Sequence, residues 1–444
     1  MAISTDDRAV IAETRTSSRI RWYVLAVLVG VGALSWIDRQ MLAMVLQSVK
    51  TEFHLSDTEL GLLGGTAFGV FYVSVGLPMA WLADRFNRRN ILSLAVGFWS
   101  LMTALCAFAG GYWSLLLIRT GVGLGEAGQS PPSQSMVCDY FPPERRGIAM
   151  ALLYLYLPIG YLISYSAGGI FNDTIGWRNS FLVFGVTGIA VALLVRLTVP
   201  EPTRGRFDSR SSASVSASPP ESLAASVQGL ISRPSMRHVP LAGAAHGIGM
   251  YAAALWLPSY FIRVHHMTST ATGVRLALIM GIAGTLGTLA GGHLSDRLAR
   301  RFGDSRWYLW TCGTAVVSTV PFTLAMYLTS NATTALLLFI GPTLLNHMIL
   351  GPIVATVQSL AGPRRRAVAA AVYLFLSNMI SMGLGPLLVG FISDELQSTL
   401  GNDALRYSLL ILCSGASCWA ALHLFLATRT VRQDIAAATL GPGS

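Results

Sequence analysis

Charged residues make up only 12% of this 444-residue chain, and nearly all of them lie in short breaks between long apolar runs. A soluble globular protein carries about 25% charged residues, so this chain lacks the charge to solvate a surface of its size. Disordered chains are polar, whereas 53% of these residues are hydrophobic. The pattern therefore predicts an all-α membrane protein that crosses the bilayer many times.

A transmembrane helix needs about 20 apolar residues, and the chain contains twelve runs of roughly that length. Gly-rich pieces such as 121–134 are only weakly apolar, which is typical of helices that face other helices. The predicted spans are 22–47, 59–82, 90–109, 113–138, 147–171, 177–199, 238–264, 270–294, 307–329, 333–360, 367–392 and 405–427.

The basic residues are distributed unequally between the two sides of these spans. Of the 31, 24 fall in the N-terminal tail, the loops after even-numbered spans and the C-terminus, which together form the Arg-rich face. Five fall on the other side, the Arg-poor face, and two lie inside spans. Because cytoplasmic loops carry the excess of Lys and Arg, we expect both termini to be cytoplasmic, in a multi-pass protein of the inner (plasma) membrane.

The longest polar segment divides the chain into two blocks of six spans. It contains the stretch SRSSASVSASPPES, whose composition cannot pack a core and is typical of a linker. The predicted organisation is a cytoplasmic tail (1–21), an N-terminal six-helix bundle (22–199), a cytoplasmic linker (200–237), a C-terminal six-helix bundle (238–428) and a cytoplasmic C-terminal tail (429–444).

Two sequence repeats relate the blocks. AWLADRFNRR (80–89) follows the second span, and GHLSDRLARR (292–301) follows the eighth. PERRGIAMA (143–151) precedes the fifth span, and PRRRAVAAA (363–371) precedes the eleventh. Nearly the same length of chain separates the two members of each pair, so each match lies at the equivalent point of its block. This indicates duplicated six-helix halves.

These motifs resemble those of the major facilitator superfamily, whose loop after the second span reads Gly-x-x-x-Asp-Arg-x-Gly-Arg-Arg. The first copy departs from that pattern at Ala80 and Asn87, and the second departs from it at Ala299. The resemblance covers residues 19–432. It implies the major facilitator fold, with twelve transmembrane helices in two pseudo-symmetric six-helix halves, and transport by alternating access.

Within the superfamily the chain most resembles the Spinster branch. The resemblance is carried by IDR at 37–39, RTGVGLGEA at 119–127, YFPPERRG at 140–147 and GWR at 176–178. Animal Spinster proteins are linked with the export of sphingosine phosphate and lysophospholipids. The resemblance therefore implies an amphipathic, lipid-like substrate.

Ionisable residues inside spans are costly and are usually functional. Arg119 and Glu126 are seven residues apart and share one face of the fourth span, and Asp38 in the first span lies between them in depth. Since the superfamily fold lines one cavity with both spans, we expect these three residues to couple transport to protons, with Glu126 exchanging the proton. The alternative is an ion network that only fixes helix packing. Arg39 is expected to pair locally or to face the outer vestibule.

The charged loop motifs predict residues that close the Arg-rich face. The superfamily fold implies that Asp84 reaches the start of the eleventh span and Asp296 the start of the fifth, where the helix dipole stabilises an anion. The alternative is that the arginines only set the topology. The predicted gating residues are Asp84, Arg85, Arg88, Arg145, Asp296, Arg297, Arg300 and Arg364.

Aromatic and polar residues predict a wall for the substrate. The superfamily arrangement places the tenth span opposite the seventh, and a mainly apolar pocket with a few polar groups suits an amphipathic solute. An aromatic lining without ligand contact is the alternative. The predicted substrate-binding residues are Arg119, Tyr154, Tyr251, Trp256, Asn346, His347 and Tyr373.

Several classes of function lack their motifs. The only lysine, Lys50, is not part of a P-loop, and neither Gly-x-Ser-x-Gly nor His-Glu-x-x-His occurs. The five cysteines lack metal-ligand spacing. We expect no enzyme, cofactor, metal or nucleic-acid partner, but a monomeric, proton-coupled secondary transporter of a lysophospholipid or sphingoid-type solute. The alternatives are a multidrug or organic-cation proton antiporter and, more remotely, a channel, a scramblase or an intramembrane enzyme.

Overall fold

The computed structural model describes residues 5–205, 207 and 223–440, and every regular element in these ranges is helical. The all-α prediction is therefore confirmed. Long apolar stretches form helices because a helix satisfies its own backbone hydrogen bonds, which is the requirement of a chain that crosses lipid.

The N-terminal half contains nine helices that make up six spans. They are α1 (Thr5–Phe53), α2 (Asp57–Gly61), α3 (Ala67–Arg85), α4 (Arg88–Cys106), α5 (Tyr112–Glu126), α6 (Ser130–Tyr140), α7 (Pro143–Leu153), α8 (Tyr156–Thr174) and α9 (Gly176–Thr198). The second span, Asp57–Arg85, is α2 and α3 joined by a π-helical turn at Leu62–Thr66. The fourth span is α5 with α6, and the fifth is α7 with α8.

The C-terminal half contains the other six spans and two accessory helices. Its helices are α10 (Leu223–Ile231), α11 (Pro234–His265), α12 (Ser269–Phe302), α13 (Arg306–Leu328), α14 (Ala332–His347), α15 (Leu350–Leu400), α16 (Ala404–Ala427) and α17 (Val431–Leu440). The tenth span begins with α14 and ends in α15, which also forms the eleventh span after a bend at Gly362. The φ of Gly362 is +68°, a value that glycine adopts without steric cost.

The count of twelve spans agrees with these helices. Nine segments in the described part of the chain are long and apolar enough to cross a membrane, and one of them, Val368–Ala427, holds the eleventh and twelfth spans end to end. The nine do not include α5 with α6, which is rich in glycine, or α11. These two less apolar spans complete the twelve of the major facilitator fold.

The segments predicted as linker and tail are partly helical. Residues 208–222 of the predicted linker lie outside the described residues, whereas α10 packs against α11 and α15 through the buried Leu230. In the predicted C-terminal tail, α17 packs against α15 and α11. There the Asp434 carboxylate accepts a 2.8 Å hydrogen bond from the Ser235 amide. The limits of the domains remain predictions.

The two halves meet mainly near the Arg-poor face. α8 packs against α12, and α15 packs against the second span. The approach is close, since a Cβ at Gly61 would lie 2.6 Å from the Pro386 carbonyl oxygen. Nearer the Arg-rich face, a Cβ at Gly76, Gly147 or Gly292 would have no described atom within 4 Å. The space between the halves is therefore closed at the Arg-poor face and open at the Arg-rich face.

Candidate functional site

The centre of the N-terminal half contains a buried ion pair between α1 and α5. The Arg39 Nε donates to the Glu126 Oε2 at 2.6 Å, and the Ser35 hydroxyl donates to the same oxygen at 2.8 Å. The Glu126 side chain is fully buried, and that of Arg39 is 12% exposed. An ion pair buried in this way is costly to disrupt by removing one partner, because the other charge is left unpaired.

Small residues on α5 bring Glu126 to this position. A Cβ at Gly123 would lie 2.8 Å from the Phe68 carbonyl oxygen, and a Cβ at Gly125 would lie 2.7 Å from the Trp99 Cβ. α5 therefore packs closely against α3 and α4, as helices with small interface residues do in membranes. This packing holds Glu126, the last residue of α5, against α1.

The Arg39 guanidinium also lies over aromatic rings. Its Cζ atom is 4.2 Å from the ring centre of Tyr72, 5.0 Å from that of Phe68 and 5.6 Å from that of Trp36. A cation over an aromatic face is attracted by the ring quadrupole. Arg39 is thus held by Glu126 on one side and by aromatic faces on the other.

Asp38 and Arg119 form a second buried polar group beside the first. The Thr103 hydroxyl donates to the Asp38 Oδ2 at 3.1 Å, and the Arg119 Nη1 approaches the backbone oxygen of Asp38 at 3.4 Å. Both side chains belong to residues that are 1% exposed. The Asp38 Oδ1, the Arg119 Nε and the Glu126 Oε1 have no hydrogen-bond partner among the described residues, so the group retains polar capacity for a ligand or a proton.

The cation that binds Glu126 is Arg39, which was expected only to pair locally or to face the outer vestibule. Seven residues along a helix correspond to about 10 Å, which is too far for a direct contact between Arg119 and Glu126 on the same helix. A neighbouring helix supplies the nearer partner. The depth estimate for Asp38 holds equally for the next residue in the chain, so the same signal would have placed Arg39 near Glu126.

A cavity of about 40 Å³ lies next to this ion pair, between the two halves. Arg39, Arg119 and Phe68 line it from the N-terminal half, and Tyr251, Leu255 and Met382 line it from the C-terminal half. Of the predicted substrate-binding residues, Arg119 and Tyr251 therefore reach the interface between the halves. The buried charges therefore border a space that both halves share.

The other predicted substrate-binding residues are more scattered. Trp256 is fully buried and donates to the Pro386 carbonyl at 2.9 Å, so it joins the seventh and eleventh spans within the C-terminal half instead of lining open space. Tyr154 is 46% exposed at the break between α7 and α8. The His347 Nδ1 lies 2.7 Å from the Thr343 carbonyl oxygen within α14, and Tyr373 packs against Gly243 of α11. Asn346 is partly buried.

Among the predicted gating residues whose side chains are described, none forms a hydrogen bond or ion pair with the other half. Asp84 is exposed, and the exposed Asp296 accepts a 2.7 Å hydrogen bond from the Tyr308 hydroxyl. Arg300 donates to the Asp296 backbone oxygen, whereas Arg145 and Arg297 are exposed. The side chain of Arg364 lies outside the described residues. Contacts of Asp84 and Asp296 with the other half, predicted for a closed Arg-rich face, are thus not tested by a structure in which that face is open.

Arg85 and Arg88 have local roles. Arg85 stacks on Trp81, with its Cζ atom 4.0 Å from the ring centre. Arg88 is buried and binds Asp139 of α6 at 2.5 Å and Glu201 at 2.9 Å. All these partners belong to the N-terminal half or follow it directly, so Arg88 fastens one half together.

Twelve spans in two halves, an interior ion pair and a cavity between the halves are the features of a membrane transporter rather than an enzyme. The sequence profile described as Major Facilitator Superfamily matches residues 28–386. The chain therefore belongs to the major facilitator superfamily.

Its relatives place it in the Spinster branch. It is 30% identical to an MFS-type efflux pump of Mycolicibacterium smegmatis over 95% of this chain and 96% of that protein. It is 29% identical to the sphingosine-1-phosphate transporter of Danio rerio, over 85% and 78% of the two chains. The crystal structure of a bacterial homolog of the human lysosomal transporter Spinster, inward-facing and unoccupied, superimposes with a TM-score of 0.84 at 28% identity and covers 94% and 98% of the chains.

Proposed function

We propose that the protein is a proton-coupled secondary transporter that moves an amphipathic, lipid-like solute by alternating access. The observation that carries the proposal is the buried Arg39–Glu126 ion pair beside a cavity shared by both halves. A carboxylate keeps its charge in an apolar interior only while it is paired and hydrogen-bonded. Glu126 therefore binds Arg39 when ionised and releases it when a proton takes its place.

Release of Arg39 links the proton to the substrate. A guanidinium without its carboxylate partner is unfavourable in an apolar interior, and it binds phosphate and carboxylate groups strongly. The aromatic rings of Phe68, Tyr72 and Tyr251 around it suit an apolar chain. A lysophospholipid or a sphingoid phosphate combines both features, and the sphingosine-1-phosphate transporter among the relatives supports this class.

We propose that the Arg-rich face is cytoplasmic, with both termini on that side of the inner membrane, because 24 of the 31 basic residues lie there. On this assignment the structure is inward-open, like the similar bacterial Spinster homolog. Asp84 and Asp296 then close the cytoplasmic face in the opposite state, each at the start of a helix in the other half. The transporter is proposed to act as a monomer.

The second candidate is a proton antiporter of organic cations. It is favoured by the two buried carboxylates, Asp38 and Glu126, and by the efflux pump among the relatives. The test is uptake into liposomes that contain the purified protein, with a fluorescent lysophospholipid, sphingosine-1-phosphate or ethidium as solute, with and without a pH gradient. Gradient-driven accumulation of the lipids supports the proposal, and accumulation of ethidium alone supports the second candidate.

Trans-stimulation by preloaded solute separates carriers from other classes. A carrier exchanges faster when unlabelled solute is present on the far side, whereas a channel or scramblase does not. Empty liposomes and the Glu126→Gln variant serve as controls. Transport of either lipid without trans-stimulation and without dependence on the gradient would refute the proposal.

A further inference from the structure

The end of the eleventh span is bound to the beginning of the second span at the Arg-poor face. The Asp394 carboxylate accepts hydrogen bonds from the Asp57 amide at 2.9 Å and from the Thr58 amide at 2.7 Å. It also accepts a 2.6 Å bond from the Thr58 hydroxyl. Amides in the first turn of a helix have no partner within the helix, so Asp394, from the opposite half, supplies one.

The end of the fifth span is bound to the beginning of the eighth in the same way. The Asp173 carboxylate accepts a 2.7 Å hydrogen bond from the Thr270 amide. The preceding residue, Asn172, donates to the Ser269 hydroxyl at 2.9 Å. Here the carboxylate belongs to the N-terminal half and the helix start to the C-terminal half, the reverse of the first contact.

The two contacts are copies of one arrangement. Thr58 and Thr270 are separated by the same length of chain as the two Asp-Arg loop motifs. Asp173 and Asp394 are separated by one residue more than the motifs that begin at 143 and 363, which precede the fifth and eleventh spans. The helix starts share their N-caps, since Ser56 and Thr268 each accept from the amide three residues on, at 3.1 Å. The duplicated unit is Gly-x-x-[Asn/Ser]-Asp on the span that ends and [Ser/Thr]-x-Thr on the span that begins.

The glycines of the duplicated unit explain how the backbones come close enough. A Cβ at Gly390 would overlap the Asp57 carbonyl oxygen, and a Cβ at Gly169 would overlap the Ser269 carbonyl oxygen. Each glycine precedes its aspartate by four positions, so the two glycines are separated by the same length of chain as the two aspartates. One helical turn therefore places the glycine and the carboxylate on the same face of the span.

We propose that Asp173 and Asp394 are a duplicated pair of gating residues that hold the Arg-poor face closed and release it in the opposite state. Both contacts join helices of different halves, so they last only while that face is closed. The carboxylates stabilise the closed face by charge-assisted hydrogen bonds to the positive end of a helix. The inference rests on alternating access, which belongs to the proposed function, but not on the proton or the substrate.

The two copies differ in strength. Asp394 is partly buried, and the contact between the eleventh and second spans is reinforced by the buried Asp57. The Asp57 carboxylate binds Lys50 at 2.5 Å and Arg263 at 2.8 Å, and it accepts a 2.6 Å hydrogen bond from the Ser393 hydroxyl. Asp173 is exposed, and water screens exposed charges. We expect loss of the Asp394 carboxylate to shift the ratio of open to closed Arg-poor faces about tenfold, and loss of Asp173 about threefold.

The test measures distances between spin labels in liposomes that contain the purified protein. One pair, at Thr51 and Gln397, reports the Arg-poor face, and a second pair, at Ile148 and Leu294, reports the Arg-rich face. The variants are Asp394→Ala, Asp173→Ala and their combination. Glu395→Gln is the matched control, since it removes a neighbouring exposed charge. We expect a longer distance in the first pair and a shorter distance in the second.

A longer distance at the Arg-poor face together with a shorter distance at the Arg-rich face indicates gating, because the loss of a merely structural contact would not change both distances in this way. Distances that match those of Glu395→Gln, or a lower melting temperature without reciprocal change, would overturn the proposal. Asp394→Asn keeps the side-chain volume and carries the test alone if the combined variant does not fold. Shifted distances in a protein that accumulates no lipid along a pH gradient would refute the proposed function while leaving the gating pair intact.

Discussion

The Arg-poor and Arg-rich faces carry the same kind of group in different states. At the Arg-poor face, Asp173 and Asp394 each bind the first turn of a helix in the other half. At the Arg-rich face, Asp84 and Asp296 are exposed. One face is closed and the other open, so the proposed alternating access would exchange the contacts of Asp173 and Asp394 for those predicted for Asp84 and Asp296.

This comparison indicates why a proton or a solute can shift the protein from one state to the other. A two-state equilibrium responds to a proton or a solute only when the two states differ by a few kcal/mol. Carboxylates at helix starts contribute about 0.3–2 kcal/mol each, which is the scale that a single binding event can overcome. If Asp84 and Asp296 bind helix starts in the opposite state as predicted, the same type of contact at both faces would keep the two states close in free energy.

The largest effect is expected for Glu126→Gln, which tests whether the central ion pair couples the movement between the two states to the proton gradient. Gln keeps the size of the side chain but has no charge and cannot ionise, so Arg39 loses its anionic partner permanently. We expect gradient-driven accumulation of solute to fall to background, while exchange without a gradient continues. The measurement is uptake into liposomes with and without an imposed pH gradient.

Glu395→Gln is the control for that experiment, because Glu395 is an exposed carboxylate on α15. It should leave both modes of transport intact. Full accumulation by Glu126→Gln would assign the coupling to Asp38, the other buried carboxylate between the faces.

A steric change at the Arg-poor face should act almost as strongly. The Cβ of Gly390→Ala overlaps the Asp57 carbonyl oxygen only in the closed state, and overpacking of this kind costs about 1–3 kcal/mol. We expect the ratio of open to closed Arg-poor faces to rise about tenfold or more. The populations are measured from the Thr51–Gln397 spin-label distances. Gly383→Ala lies on the same helix and meets nothing within 4 Å, so an equal effect there would contradict the steric account.

Asp57→Asn removes the ion pairs with Lys50 and Arg263, which support the contact of Asp394 but not that of Asp173. Asn does not neutralise Lys50 and Arg263, and a hydrogen bond to a charged group contributes about 2 kcal/mol. Both cations line a surface cavity of about 380 Å³, so water offsets part of this loss. We expect a shift of a few fold toward an open Arg-poor face, and the same distance measurement at high salt should show a smaller difference from the unmodified protein.

The smallest effect is expected at the Arg-rich face, for Asp84→Asn and Asp296→Asn. Each removes an anion that is predicted to bind a helix start in the closed state, which corresponds to about 0.3–1 kcal/mol. The face is already open, so the substitutions should be made in the Asp394→Ala background. We expect each to return the Ile148–Leu294 distance toward its open value, and an unchanged distance in both would contradict the predicted latch.

The sequence was sufficient for the fold because its signals are local or repeated. Apolar runs long enough to cross a bilayer and the Asp-Arg loops at 84 and 296 predicted twelve spans and duplicated halves. Residue types inside spans also identified Asp38, Arg119 and Glu126 as a buried group. Their pairing was not predictable from spacing alone, because Glu126 takes its partner from a helix that lies 87 residues away in sequence.

The gating pair at the Arg-poor face was missed for a related reason. Its two copies share only a glycine, an aspartate and two capping residues, which is too little to stand out in an apolar sequence. Their meaning depends on a helix start in the other half of the chain. Backbone amides, which do not appear in the residue letters, supply half of each contact.

The anchoring of the segment after α9 sets how the two halves are joined. Arg88 binds Glu201, and Arg204 donates to backbone oxygens of Ala83, Asp84 and Phe86. The chain that follows the sixth span is thereby tied to the loop after the second span, and residues 205–222 remain as the connection to α10. Loop-closure entropy grows by only about 0.6 kcal/mol per doubling of length. An insertion that doubles the length of this connection should therefore change the free energy of unfolding by less than about 1 kcal/mol, which thermal unfolding would measure.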